Sequence, residues 1–140
     1  MTPKQIELVR NSFRAAAPQR HRLAGAFFAE LFAREPSLRP LFAGALSLHG
    51  VKLFDGLAEI VGSLDRLYPI VPVLEWLAIR NLRRGVGERQ YRAFGEALRT
   101  TLEAALGASF TAETGEAWIA AERAVLRVMC EALAAEPIAA

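Results

Sequence analysis

The chain has 140 residues, 53% of them apolar, with 17 basic and 15 acidic side chains, a net charge of +2 and one cysteine. That is apolar material for the core of one domain spanning 1–140, and despite a calculated pI of 9.1 the charge excess is too small to predict a nucleic-acid partner. Charged residues interrupt every apolar run short of the roughly 20 residues of a membrane span, the opening segment 1–7 lacks the apolar core of a signal peptide, and Cys130 has no second cysteine to bridge, so a cytoplasmic protein without a membrane partner is expected.

Thr2-Pro3-x-Gln5 predicts a helix start, with Thr2 as cap, Pro3 in the first turn and Gln5 reaching back. Ile6, Val9, Phe13 and Ala16 form a stripe that stops before Pro18. A second helix is expected over about residues 20–34, with Leu23, Ala24, Phe27, Phe28 and Leu31 on its inner face. Glu35-Pro36 ends it, because a residue before proline disfavours helical geometry. Segment 36–41 fits one or two helical turns leading to Phe42.

Gly44 opens a helix predicted over about 45–64, where Leu46, His49, Leu53, Leu57, Ile60 and Val61 recur at helical spacing and Gly62-Ser63-Leu64-Asp65 frames the end. Segment 68–72 reads as a connection, with Pro72 in the first turn of a helix whose apolar face carries Leu74, Leu77, Ala78 and Leu82. Asn81 falls on the side of Leu74 and Leu77. Nearby Arg80, Arg83, Arg84 and Arg89 form a basic patch that a solvated helix end explains. Gly85 and Gly87 break the chain before a long helix carrying Tyr91, Phe94, Leu98, Leu102 and Leu106, which Gly107 ends. Thr111 caps a final helix with Glu113 in its first turn and Trp118, Ala121, Val125, Val128, Met129 and Leu133 as apolar positions. The tail 136–140 is expected to fray. With no β alternation and no long repeat, the residues alone predict an all-α domain joined by dissimilar linkers.

Several motifs share an order. They are Thr2-Pro3-x-Gln5-Ile6-x-Leu8-Val9-x-x-Ser12-Phe13, then Phe27-Phe28-x-Glu30-Leu31-Phe32 with Pro36-Ser37-Leu38-Arg39-Pro40-Leu41-Phe42. After them come the Gly85-Val86 step before Tyr91 and Phe110-Thr111-x-Glu113 leading to Trp118. In this order and spacing the chain resembles the globin family over nearly its whole length, in particular single-domain bacterial globins and the haemoglobin part of flavohaemoglobins. The resemblance implies an all-α globin fold of about six to seven helices in a sandwich around a tetrapyrrole-type pocket. It also implies haem as cofactor and oxygen or another diatomic or small apolar molecule as ligand. The length leaves no room for the reductase domain of flavohaemoglobins, so any electron donor is expected to be a separate protein.

The resemblance also distributes roles. Phe42 matches the phenylalanine that packs on the haem plane, and Phe28 falls where many bacterial globins place a tyrosine that faces oxygen. His49 lies close to the distal position, with Lys52 or Leu53 there if the register shifts by a turn. Tyr91 matches a tyrosine of the proximal hydrogen-bonded group, with Glu131 near its acidic member, and Leu53 and Leu77 join the pocket walls. The departure is Asn81, which stands where the iron-ligating histidine is expected. An amide is a far poorer iron ligand than an imidazole, and the only histidines are His21, expected at the surface, and His49. Three alternatives follow: haem bound through His49, a linear or metal-free tetrapyrrole, or a pocket filled by side chains or another apolar ligand. Cys130 and Met129 could reach iron only from inside the cavity, and a buried structural role is expected for both. The resulting expectation is a tetrapyrrole-binding sensor or carrier, not an enzyme. Its competitor is a haem-free globin-fold regulatory or interaction module, able to form a homodimer.

Overall fold

The computed structural model describes residues 1–42, 44 and 46–135, without the side chain of Ser47. Thr2 Oγ1 accepts from the Gln5 N–H at 3.1 Å while Gln5 Oε1 accepts from the Thr2 N–H at 2.9 Å. This closed capping box starts α1 (Pro3–Ala16) as its sequence predicts. A short 3-10 turn through Pro18 leads into α2 (Arg20–Arg34). Glu35, held extended at φ −140° and ψ 81° by the proline that follows, ends α2. A 3-10 stretch then runs Pro36–Phe42.

The next helix, α3, is described over Leu46–Gly62; the expected start at Ala45 lies outside the described residues. It stops at Gly62, within the segment 62–65 expected to frame its end, and a tertiary contact supports that end. Arg10 of α1 donates to the carbonyls of Val61 (3.2 Å) and Gly62 (3.0 Å) and to Asp65 (2.8 Å), giving the last turn of α3 a cationic cap. After a 3-10 turn, Tyr68–Ile70, come α4 (Val71–Arg83), with Pro72 in its first turn, and α5 (Glu88–Leu106). Gly107, at φ 55°, ends α5 in a conformation that L side chains rarely adopt. Thr111 Oγ1 accepts from the Thr114 N–H at 3.1 Å and so caps α6 (Ala112–Ala135). The described residues thus form six α-helices joined by 3-10 turns, with no strand. The tail 136–140, expected to fray, lies outside them.

The core divides in two. The larger cluster takes buried side chains from α1, α2, α3, α5 and the first half of α6, among them Val9, Phe27, Leu31, Phe54, Leu102 and Trp118. The smaller one joins Ile70, Leu74 and Ala78 to Met129 and Ala132 of α6. Ile60 of α3 packs against both. Helix α3 rests on α2 and α1 while α4 rests on α6, and α3 and α4 make no comparable packing with each other. At the α2–α3 crossing, a Cβ on Gly50 would lie 2.6 Å from Ala24 Cβ, so only glycine allows so close an approach.

Two expectations are corrected. Leu82 is 45% exposed and does not share the buried face of α4. That face runs through Leu74 and Ala78 towards α6, and Leu82 has turned past it by the last turn. Cys130 is half-buried and not a core residue, because the buried positions of this part of α6 are Met129 and Ala132.

Candidate functional site

Helices α3 and α4 pack little against each other, and the residues that the resemblance assigns to a pocket lie on and around both. One wall is aromatic. Phe28 of α2 is 2% exposed, and its ring lies 5.1 Å from that of Phe42, which meets His49 of α3 nearly edge-on at 5.5 Å. Phe32 joins the group at 5.8 Å from both Phe28 and Phe42. Offset and edge contacts of this kind are the favoured aromatic geometries. Phe28 presents no hydroxyl, so this wall lacks the phenolic donor a tyrosine would supply. Along α3, His49, Leu53 and Leu57 are half-buried whereas Lys52 is exposed, which sets the inward register on His49 and Leu53.

Leu77, Asn81 and Tyr91 are all half-buried, Leu77 and Tyr91 packing beside the smaller core cluster. Asn81 Nδ2 donates to Tyr91 Oη at 2.9 Å, while its backbone carbonyl accepts from the N–H groups of Arg84 and Val86, each at 2.9 Å. Asn81 therefore ends α4 with its backbone and reaches α5 with its side chain. Burial pushes the Tyr91 phenol above its ordinary value, against the opposing effect of the Asn81 hydrogen bond. The resemblance brings Glu131 near this pair, but its side chain is solvent-exposed. Burial likewise pushes the Cys130 thiol up, away from the thiolate that would bind a metal. Met129 sits in the smaller core cluster.

The basic patch also has structure that its sequence did not signal. Arg84 Nη2 donates to the Leu41 carbonyl at 3.1 Å, tying the end of α4 to the turn that carries Phe42. Arg89 holds the buried carboxylate of Glu35 through two bonds of 3.1 and 2.6 Å, keeping that carboxyl below its ordinary range with help from Ser37. Arg80 stacks over Trp76 at 5.2 Å. These partners are far apart in sequence or join solvent-facing positions, so no local pattern announces the first two.

Two cavities lie at other helix pairs. One, about 470 Å³, is an open groove between Arg34, Arg89 and Arg92 and the matching acids Glu35, Glu88 and Glu96. The other, about 200 Å³, lies at the α2–α3 crossing and has exposed His21 in its rim. Among the described residues no group of three His, Cys, Asp or Glu side chains could hold a metal ion. No helix among them is long and apolar enough to cross a membrane. A family model described as Globin matches residues 25–129, from within α2 to within α6. The chain belongs to the globin family.

Proposed function

We propose that a cleft between α3 and α4 binds haem or another tetrapyrrole with His49 in place of a proximal histidine, and that the protein senses or carries a small molecule. Globins generally carry haem and through it bind diatomic gases. One observation carries the reading for this chain. Phe42, Leu53 and Leu57 on one side and Leu77 and Tyr91 on the other are half-buried. Helices α3 and α4, which carry most of them, pack little against each other, which supports a gap between them. A flat apolar molecule entering that gap would remove this surface from water, at about 25 cal/mol for each Å² covered. Phe42 and the leucines would hold its faces and His49 would offer the imidazole, while the Asn81 amide is engaged by Tyr91. When bound, haem would supply an iron centre for a diatomic ligand, beside a wall whose Phe28 offers no hydrogen bond. Nothing in this arrangement positions a catalytic acid and base, so binding without turnover is the proposed role.

A haem-free regulatory or interaction module is favoured by a different observation. The Asn81–Tyr91 bond already satisfies the polar groups of the proximal wall without any cofactor. Ultraviolet–visible spectra and intact native mass before and after stoichiometric haemin separate the two. A haem-mass adduct with a sharp Soret band that His49→Ala alters and His21→Ala does not supports His49 ligation. If folded protein gives only the broad spectrum of free haemin, and Asn81→His does not restore binding, the tetrapyrrole reading fails and the haem-free one stands.

A further inference from the structure

We infer that the 200 Å³ cavity at the α2–α3 crossing is a second binding site, taking a small aryl or short-chain carboxylate. The inference does not rest on the tetrapyrrole reading. The lining is ordered by depth. Buried Ala24, Phe28 and Gly50 make an apolar floor, while exposed Arg20 and His21 stand at the rim with Leu46 and Val51. An apolar floor under a cationic rim matches a molecule with an apolar body and one anionic end. Size agrees, since an apolar cavity of about 150 Å³ is enough to take benzene.

Three further features support an occupant. Leu46 is 40% exposed and Val51 41%, leaving apolar surface at the mouth that a ligand would cover. Arg20, like most of the arginines, makes no ion pair among the described residues, and it donates to the neighbouring Ala17 carbonyl at 3.3 Å, which leaves its charge available at the rim. Exposed Gly25 also lines the cavity, and a Cβ there would meet nothing within 4 Å, so a larger side chain at this position could be built into the space. The floor also touches the proposed cleft. The ring of Phe28 continues to Phe42 at 5.1 Å and from there to His49 at 5.5 Å, so an occupant would press on the aromatic wall.

Benzoate and its neutral analogue benzamide test the site, titrated into the full chain and followed by amide chemical shifts. Benzoate should saturate shifts at Gly25, Gly50 and Val51 and bind about threefold more tightly than benzamide at low salt, the discrimination one exposed charge can give. Arg20→Gln should abolish that preference while leaving benzamide binding unchanged. Gly25→Leu should abolish binding of both probes; should that variant not fold, Gly25→Ala, built into open space, should weaken both. Unsaturable shifts, or binding indifferent to Gly25 substitution, would overturn the site. Equal affinity for the two probes, insensitive to Arg20→Gln, would overturn the carboxylate class. Shifts confined to Asn81 and Tyr91 would place the probe in the cleft and overturn the second site without touching the tetrapyrrole proposal.

Discussion

The hydroxyl of Ser12 links the first helix to the last. It donates to the carbonyls of its own helix, Leu8 at 2.8 Å and Val9 at 3.0 Å, and accepts from the indole N–H of Trp118 at 2.8 Å, with both side chains buried. Ser12→Ala leaves that indole donor without a partner and should lower stability by about 2 kcal/mol in urea unfolding, more than an exposed serine would. The Asn81–Tyr91 pair is less enclosed, so Tyr91→Phe should cost only about 1 kcal/mol as water replaces the phenol. These pairs mark how far single residues can be read from sequence. Helical spacing put His49, Leu53 and Leu57 on one side of α3, and they share one in the structure. It could not pair Asn81 with Tyr91 across the Gly85–Gly87 break, or Glu35 with Arg89, because such bonds depend on how helices cross. For the same reason His21 was legible as a surface residue but not as the rim of a cavity, which the α2–α3 crossing creates.

At the scale of the helix, starts and stops are mostly local chemistry. Thr2 with Gln5, Glu35 before Pro36, Gly107 and Thr111 each act within a few residues of the boundary they set, so those boundaries could be read directly. Thr111→Ala should destabilise the protein by about 1 kcal/mol, with the loss of helicity confined to the first turn of α6 when followed by amide exchange. The end of α3 falls in the expected segment 62–65, but its cap from Arg10, in another helix, has no local signal. Arg10→Met should therefore loosen residues 60–65 more than it lowers global stability, again read by exchange. Leu82 was misplaced by the same limitation in reverse. A leucine at helical spacing reads as inward, but its exposure depends on the direction from which α6 packs on α4.

Across the whole molecule, two acids give stability opposite responses to pH. Glu122, packed against Gly95 in α5, is pushed above the usual carboxylate range by burial even though Arg99 opposes the shift. A raised folded-state value gives a contribution that is full below the unfolded pKa and lost as pH rises through the folded one. Glu35 is held low by Arg89, so its contribution is present above the unfolded pKa and lost as pH falls through the folded one. Arg99→Leu removes the charge that offsets burial of Glu122, and should cost about 2 kcal/mol near neutrality but less as pH falls and Glu122, already raised by burial, protonates. Unfolding midpoints from neutrality downwards would check this. The divided core has a consequence of another kind. Only α6 supplies buried side chains to both clusters, Ala117, Trp118 and Ala121 to one and Met129 and Ala132 to the other. Local opening of α4 should therefore break its packing on the C-terminal half of α6 together with the Asn81–Tyr91 and Arg84–Leu41 bonds, before the larger cluster unfolds. A plate lodged between α3 and α4 would staple α4 in place, so a cofactor here would act on the protein first as a brake on local unfolding.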